Sequence, residues 1–257
     1  MLCRVALVVP QFALVMFPLM QSAAGQAASD SVRVPILVYH SVMPHHPGQT
    51  AEQRLFDVDT AVFSEQMRYL AEHRCRVISF ARLIDALEGR ATLPEHAVVI
   101  TFDDGWENQF HHAFPVLRQL GLTATFFVYT VPIGRDDRYM TWDQLREMQK
   151  AGMTIGSHSR THPELTALHA ALNDEIDGSR RDMEEHLGTT PEFFAYPYGA
   201  WNARAMNAVR AAGYLAARGF PRPGVPRGPW NASSELFALR AVMVTDDMDA
   251  FAKAIGP

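Results

Sequence analysis

Eight short apolar runs recur along the chain, and most lack the alternation expected of a half-exposed strand. They are Pro35–Tyr39, Arg76–Ser79, Ala97–Phe102, Thr123–Val128, Met153–Gly156, Phe193–Tyr196, Tyr214–Ala217 and Leu239–Val244. Runs of this kind read as strands covered on both faces, the habit of parallel sheets. Helical patterns lie between them: Phe63, Met67 and Leu70; Ala113, Val116, Leu117 and Leu120; Leu145 and Met148 behind a Thr141 cap. Three times a helical stretch ends in Gly and an apolar strand follows at once, at Gly121, Gly152 and Gly213. A Gly there supplies the left-handed residue that ends a helix, and the chain passes straight into the next βα unit. The alternation fits an open doubly wound sheet or a closed barrel, and periodicity does not choose between them. No linker separates a second domain; Met43–Gln53 and Pro221–Asn231 read as irregular loops.

The N-terminal residues stand apart from this pattern. Arg4 precedes Val5–Ser29, which carries no charge, and the apolar stretch gives way to small residues from Ser22 to Ala28. This is the order of a secretory signal peptide, with cleavage after Ala24 or Ala27. The expected organisation is therefore a signal peptide over 1–27 and one domain over 28–257, periplasmic or extracellular. The alternative is an uncleaved membrane tether facing outside the cytoplasm, since 25 uncharged residues can span a bilayer. Cleavage after Ala27 removes Arg4 and Cys3, which shifts the net charge from −5 to −6 and leaves Cys75 as the one cysteine. Such a chain has no internal disulfide and must be held by its core. Its acidity, with no block of Lys or Arg, argues against a nucleic-acid partner.

Three of the apolar runs end in residues that carry chemistry. Val98-Val99-Ile100-Thr101-Phe102 leads into Asp103-Asp104-Gly105. Strand C-termini are where α/β folds place their sites, and two adjacent carboxylates ionise together only beside a cation or with separated pKa values. An Asp-Asp-Gly surface turn is the plain alternative. Gly156-Ser157-His158-Ser159-Arg160-Thr161-His162-Pro163 also follows a strand. Its two imidazoles can converge on one ion, and with one Asp they would give a three-ligand zinc site with open positions. The third run is Phe193-Phe194-Ala195-Tyr196-Pro197-Tyr198-Gly199, whose rings suit either a sugar face or a core.

Together these motifs resemble the polysaccharide deacetylase family, also called the NodB-homology or carbohydrate esterase 4 family. The resemblance spans about Pro35 to Val244. It implies a distorted (β/α) barrel of about seven strands. It also implies a divalent metal, most often zinc, held by Asp104, His158 and His162, with Asp103 as catalytic base and the Tyr198 backbone N–H as oxyanion donor. Two features depart from the family. Ala195 stands where an Arg usually holds the base, and no His follows His186 to supply the usual C-terminal general acid. His40, at the end of Ile36-Leu37-Val38-Tyr39, is the candidate replacement acid, and Arg240 a weak candidate for the absent Arg. The opening Tyr-His and the third motif resemble the branch of exported poly-N-acetylglucosamine deacetylases.

Tyr196, Trp106 and Trp201 are further candidates for substrate contact, and Trp230 for a groove wall. Trp142 reads as packing under the rim, His45-His46 and His111-His112 as solvated, Cys75 as a small buried residue, and Asp246-Asp247-Met248-Asp249 as a helix-start cluster. The expected function is metal-dependent N-deacetylation of a polymer such as poly-N-acetylglucosamine, chitin oligomers or peptidoglycan. The alternatives are an O-acetyl esterase of xylan type and a carbohydrate binder without turnover.

Overall fold

The computed structural model describes residues 31–221, 228 and 230–256. The expected signal peptide and most of the Pro-rich loop lie outside these residues. No described helix is long and apolar enough to cross a membrane.

Seven parallel strands make the barrel: β1 (Ile36–Tyr39), β2 (Ala97–Asp104), β3 (Thr125–Val128), β4 (Thr154–Ser157), β5 (Phe193–Ala195), β6 (Ala216–Gly219) and β7, whose halves are Leu239–Arg240 and Val242–Met243. Pairing runs from β1 through β2, β3, β4, β5 and β6 in turn. The ring closes within β7: Leu239–Arg240 pairs with β6, and Val242–Met243 pairs with β1. The expected single strand Leu239–Val244 is thus divided at Ala241, whose N–H bonds to the Gly219 carbonyl before the chain crosses to β1. A short strand, Arg76–Val77, pairs with the start of β2. The helices are α1 (Gln53–Phe56), α2 (Thr60–Glu72), α3 (Phe80–Leu87), α4 (Phe114–Gln119), α5 (Trp142–Lys150), α6 (Leu172–Leu187), α7 (Ala203–Ala211) and α8 (Met248–Ile255). The three expected helix-ending glycines all have positive φ, and Thr141 forms a capping box with Gln144.

Strand parity decides what each side chain meets. Ile36, Val38, Val99, Phe127, Phe193, Ala195, Ala216, Leu239 and Ala241 form one buried cluster with Phe80. This is the barrel interior, with α3 closing its base; Phe80 touches Phe127 and Phe193 at 5.8 and 4.9 Å between ring centroids. Their sequence neighbours Leu37, Tyr39, Ile100, Phe102, Phe126, Val128 and Ile155 pack outward, under the helices. Tyr39, Phe102 and Phe126 are consecutive register partners and stack at 5.3 and 4.5 Å. Two-sided burial explains the unbroken apolar runs. A buried aromatic row on each side of the sheet contributes about 1.5–3 kcal/mol per ring.

One loop reading needs correction. Trp230–Ala232 is a strand, paired antiparallel with Ser31–Arg33. Buried Asn231 donates to the Val34 carbonyl and accepts from Arg240 N–H, which gives this extended segment an anchor that composition does not reveal.

Candidate active site

The interior row continues upward past the apolar layers into polar ones. Above Val99 come Thr101 and Asp103; above Ala216 comes Arg218; His158 extends β4 and His40 extends β1. Parity would send Asp104 to the opposite face from Asp103. Asp104 instead has φ +74°, which ends the strand and lets both carboxylates line one cleft. Ser159, His162 and Tyr198 are also in left-handed conformation, at φ 71°, 62° and 57°. Non-glycine residues in this region cost energy and persist where surrounding contacts fix them.

Asp104, His158 and His162 each present a ligand atom, all within 4.8 Å of one another. Nε2 of His162 lies 3.4 Å, and Nε2 of His158 3.7 Å, from the same Asp104 oxygen. His158 Nδ1 is 2.7 Å from the Ala195 carbonyl, so Nδ1–H donates there and the Nε2 lone pair points at Asp104. Burial holds the His158 pKa down at about 3 and also lowers that of His162, so both rings are neutral at physiological pH. Burial raises the Asp104 carboxyl. Two neutral imidazoles and a carboxylate facing one point are the donor set that suits zinc with open positions, and the residues present fit such an ion.

Asp103 is 2% exposed. Burial would push its pKa up, but the Arg218 guanidinium, with His158 and His40, outweighs it and holds the carboxyl below the usual range. Arg218 is fully buried, bonds Asp103 through Nη2 and lies over the Phe127 ring at 4.7 Å. It is the register partner of Ala195 on the adjacent strand. The absent Arg is therefore supplied one strand over, to the same carboxylate. The other proposed substitute, Arg240, pairs with Glu235 and the Trp230 carbonyl and does not reach Asp103.

Gln109 was not anticipated from the sequence. It is fully buried and donates through Nε2 to the carbonyls of His40 and Asp103, tying two strand ends together. It opens a π-helical turn, Gln109–Ala113, a geometry frequent at functional sites.

His40 lines the cleft, packs edge-on against Phe56 at 5.3 Å and has a buried Nδ1 without a partner among the described residues. Tyr198 is 65% exposed on the opposite lip, its ring 4.7 Å from that of His162. The cleft has a volume of about 990 Å³ and also takes in Met43, Phe220 and Met243.

Trp106 lines the cleft, but its Nε1–H is committed to Asp104 at 3.0 Å and its ring stacks on Tyr139. Tyr196 does not line the cleft: it is fully buried against Phe194, and its hydroxyl donates to the Phe237 carbonyl. Trp201 also lies off the cleft, packed in that same outer cluster with Nε1–H directed at the Phe220 carbonyl. Trp230 is half exposed on its edge strand. Trp142 stacks on His186, as packing under the rim requires. His45 and His111 have carboxylate partners, Asp246 and Glu107, which corrects the expectation of free solvated rings. Asp247 caps α8 as expected, and Asp246 instead bonds the Asp59 N–H.

The family model for polysaccharide deacetylases matches residues 90–217, which include Asp103, Asp104, His158, His162 and Ala195. The chain belongs to the polysaccharide deacetylase family. YxkH of Bacillus subtilis (strain 168) is 27% identical over 223 residues, covering 86% of this chain and 74% of that protein. The poly-beta-1,6-N-acetyl-D-glucosamine N-deacetylase of Escherichia coli (strain K12) is 27% identical over 65% of this chain, which spans only 31% of that longer protein. Among solved structures, the deacetylase PplD of Streptococcus pyogenes in complex with acetate superposes with a TM-score of 0.78 at 22% identity, over 88% of this chain and 99% of that one. At that identity the likeness is one of fold.

Proposed function

We propose that the chain is a metal-dependent N-deacetylase of an extracytoplasmic N-acetylglucosamine polymer, with a poly-N-acetylglucosamine-like glycan as the first substrate. One observation carries the reading: a carboxylate held ionised by a buried Arg, Asp103, sits beside the Asp104–His158–His162 group at the floor of an open cleft. A pure binder has no need of an ionised base beside a metal-competent triad. Likeness to the Escherichia coli protein supports the glycan class.

Asp104, His158 and His162 would hold the divalent ion, most often zinc in this family, whose chemistry is to polarise a carbonyl and acidify water. Asp103 takes the proton from the attacking water, and Arg218 keeps it charged to do so. The Tyr198 N–H, presented by a left-handed turn, donates to the oxyanion as the acetyl carbon becomes tetrahedral. His40 gives a proton to the departing sugar nitrogen, and acetate and a free amine result. Met43, Phe56, Phe220 and Met243 give the cleft apolar walls beside these groups. Export through the N-terminal segment would place the domain outside the cytoplasm with its substrate, and N-terminal sequencing of the mature protein tests it.

Acetate release from acetylated glycans tests the activity. Release from poly-β-1,6-N-acetylglucosamine, chitin oligomers or peptidoglycan is expected. Release from acetylated xylan alone would replace the amidase by an esterase, and zinc binding without release from any substrate would make the protein a binder.

A further inference from the structure

The segment between the two histidines, Ser159–His162, holds two left-handed non-glycine residues within four positions. By general magnitudes this strain is about 1–3 kcal/mol per residue. Hydrogen bonds from two neighbouring elements hold it. Thr130 N–H and Val131 N–H bond the carbonyls of Ser159 and Arg160, and His162 N–H bonds Ser159 Oγ at 3.0 Å. The N–H groups of Arg160 and Thr161 both point at Glu175 Oε2, at 2.9 and 2.8 Å. Glu175 Oε1 accepts the Thr161 hydroxyl at 2.6 Å. One carboxylate on α6 therefore holds the middle of the turn with three hydrogen bonds.

Helix α6 is shaped to receive this turn. Glu175, Gly178 and Asp182 lie three and four residues apart, on one helical face. Asp182 accepts from Arg160 Nε at 3.1 Å and from the Thr130 hydroxyl. A Cβ at Gly178 would come within 2.8 Å of Arg160 Cδ, so the glycine lets the Arg160 chain cross the helix. A helix interior disfavours Gly by about 1 kcal/mol, and here the close crossing accounts for it. Glu175 is 7% exposed, and its contacts are the N–H and O–H donors of the turn. A concave pair of successive N–H groups around a carboxylate is an anion-binding arrangement built within the chain.

We infer that Glu175 is the positioning residue of the metal site: by gathering the Arg160 and Thr161 N–H groups and the Thr161 hydroxyl, it fixes the turn that aims His158 and His162 at one point. The inference rests on the reading of Asp104, His158 and His162 as metal ligands. Glu175 touches neither ring nor substrate, so its effect is on how far the ligand geometry is made before the ion arrives. Outer partners of this sort typically account for about 10- to 100-fold in metal affinity.

The test is the zinc dissociation constant of the full chain, read by competition with a chromophoric chelator, with the Tm of each metal-free protein measured alongside. Glu175→Ala is expected to weaken zinc binding by about 10- to 100-fold. Glu175→Gln keeps an oxygen for the two N–H groups and an amide that can donate to Thr161 Oγ1, and it is expected to bind zinc more tightly than the Ala variant. Thr161→Val, at an exposed position, removes one bond and is expected to weaken zinc about 2- to 10-fold, which keeps the test open if Glu175→Ala does not fold. Unchanged affinity in Thr161→Val and in whichever Glu175 variants fold overturns the inference, even if Tm falls, because Glu175 is then merely structural. Absence of zinc binding by the unaltered protein overturns the metal reading itself, and the inference with it.

Discussion

Replacing Arg218 by Met leaves Asp103 buried with no guanidinium beside it. Asp103 is 2% exposed and Arg218 fully buried, so water cannot take over the lost contact. Removing one member of a buried ion pair costs about 3–5 kcal/mol. At about 2–4 °C per kcal/mol for a domain of this size, Tm should fall by roughly 6–20 °C. The pH dependence carries the sharper signature. Burial already pushes the Asp103 carboxyl up, and Arg218 is the largest influence holding it down. A depressed folded-state pKa contributes stability above the unfolded carboxylate value of about 4, lost as pH falls through the folded value. Without Arg218 the largest of these opposing influences is lost: the carboxyl rises, and the acid limb of kcat/KM moves to higher pH. Each unit by which the pKa exceeds the assay pH lowers the rate about tenfold. Adding Ala195→Arg should restore both, because residues 195 and 218 are register partners facing the same interior. Thermal melts and kcat/KM profiles of the three proteins check this. An Arg218→Met protein with unaltered Tm and acid limb would refute the relocated-arginine argument, and so would failure of Ala195→Arg to recover the profile in a folded double variant.

Three other outcomes follow from the site. His40→Ala should retain metal by elemental analysis while turnover falls about 10²–10⁴-fold, as for loss of a general acid. Trp106→Phe keeps a ring on Tyr139 but loses the N–H to Asp104, so zinc affinity by chelator competition should fall by about 10-fold with little change in Tm. Tyr196→Phe should lower stability by about 1 kcal/mol in urea unfolding, through the lost bond to the Phe237 carbonyl, and leave KM unchanged, since the ring lies in the outer core.

The strands and the residues at their ends were legible in the sequence because both are local signals; closure into a barrel was implied only by the family resemblance. Two-sided burial makes each strand a continuous apolar run, and Asp103-Asp104 and His158…His162 are each contained in one strand end. What it did not carry is pairing across strands. Arg218 lay just beyond the expected strand Tyr214–Ala217, because Tyr214 and Leu215 carry the chain from α7 to the sheet before β6 starts at Ala216. That Ala195 and Arg218 sit side by side is a matter of register, which no spacing within either segment encodes. A lone Arg after Ala216-Ala217 was the available signal. Gln109 and Glu175 were hidden for a related reason: each is a polar residue on a helical turn whose partners lie on strand ends and loops that only the fold brings beside it. Tyr196 and Trp201 were read as sugar contacts from ring chemistry alone, and parity turned Tyr196 outward, away from the cleft.

In the proposed mechanism Asp103 is a base and not a ligand, beside a metal held by Asp104, His158 and His162. Acetate release and metal content, measured on the same zinc-loaded samples of the unaltered chain and Asp103→Asn, test it most directly. Asp103→Asn is expected to keep zinc at the same occupancy and to lose acetate release by at least about 10²-fold. Undiminished release, or loss of zinc along with activity, would contradict it.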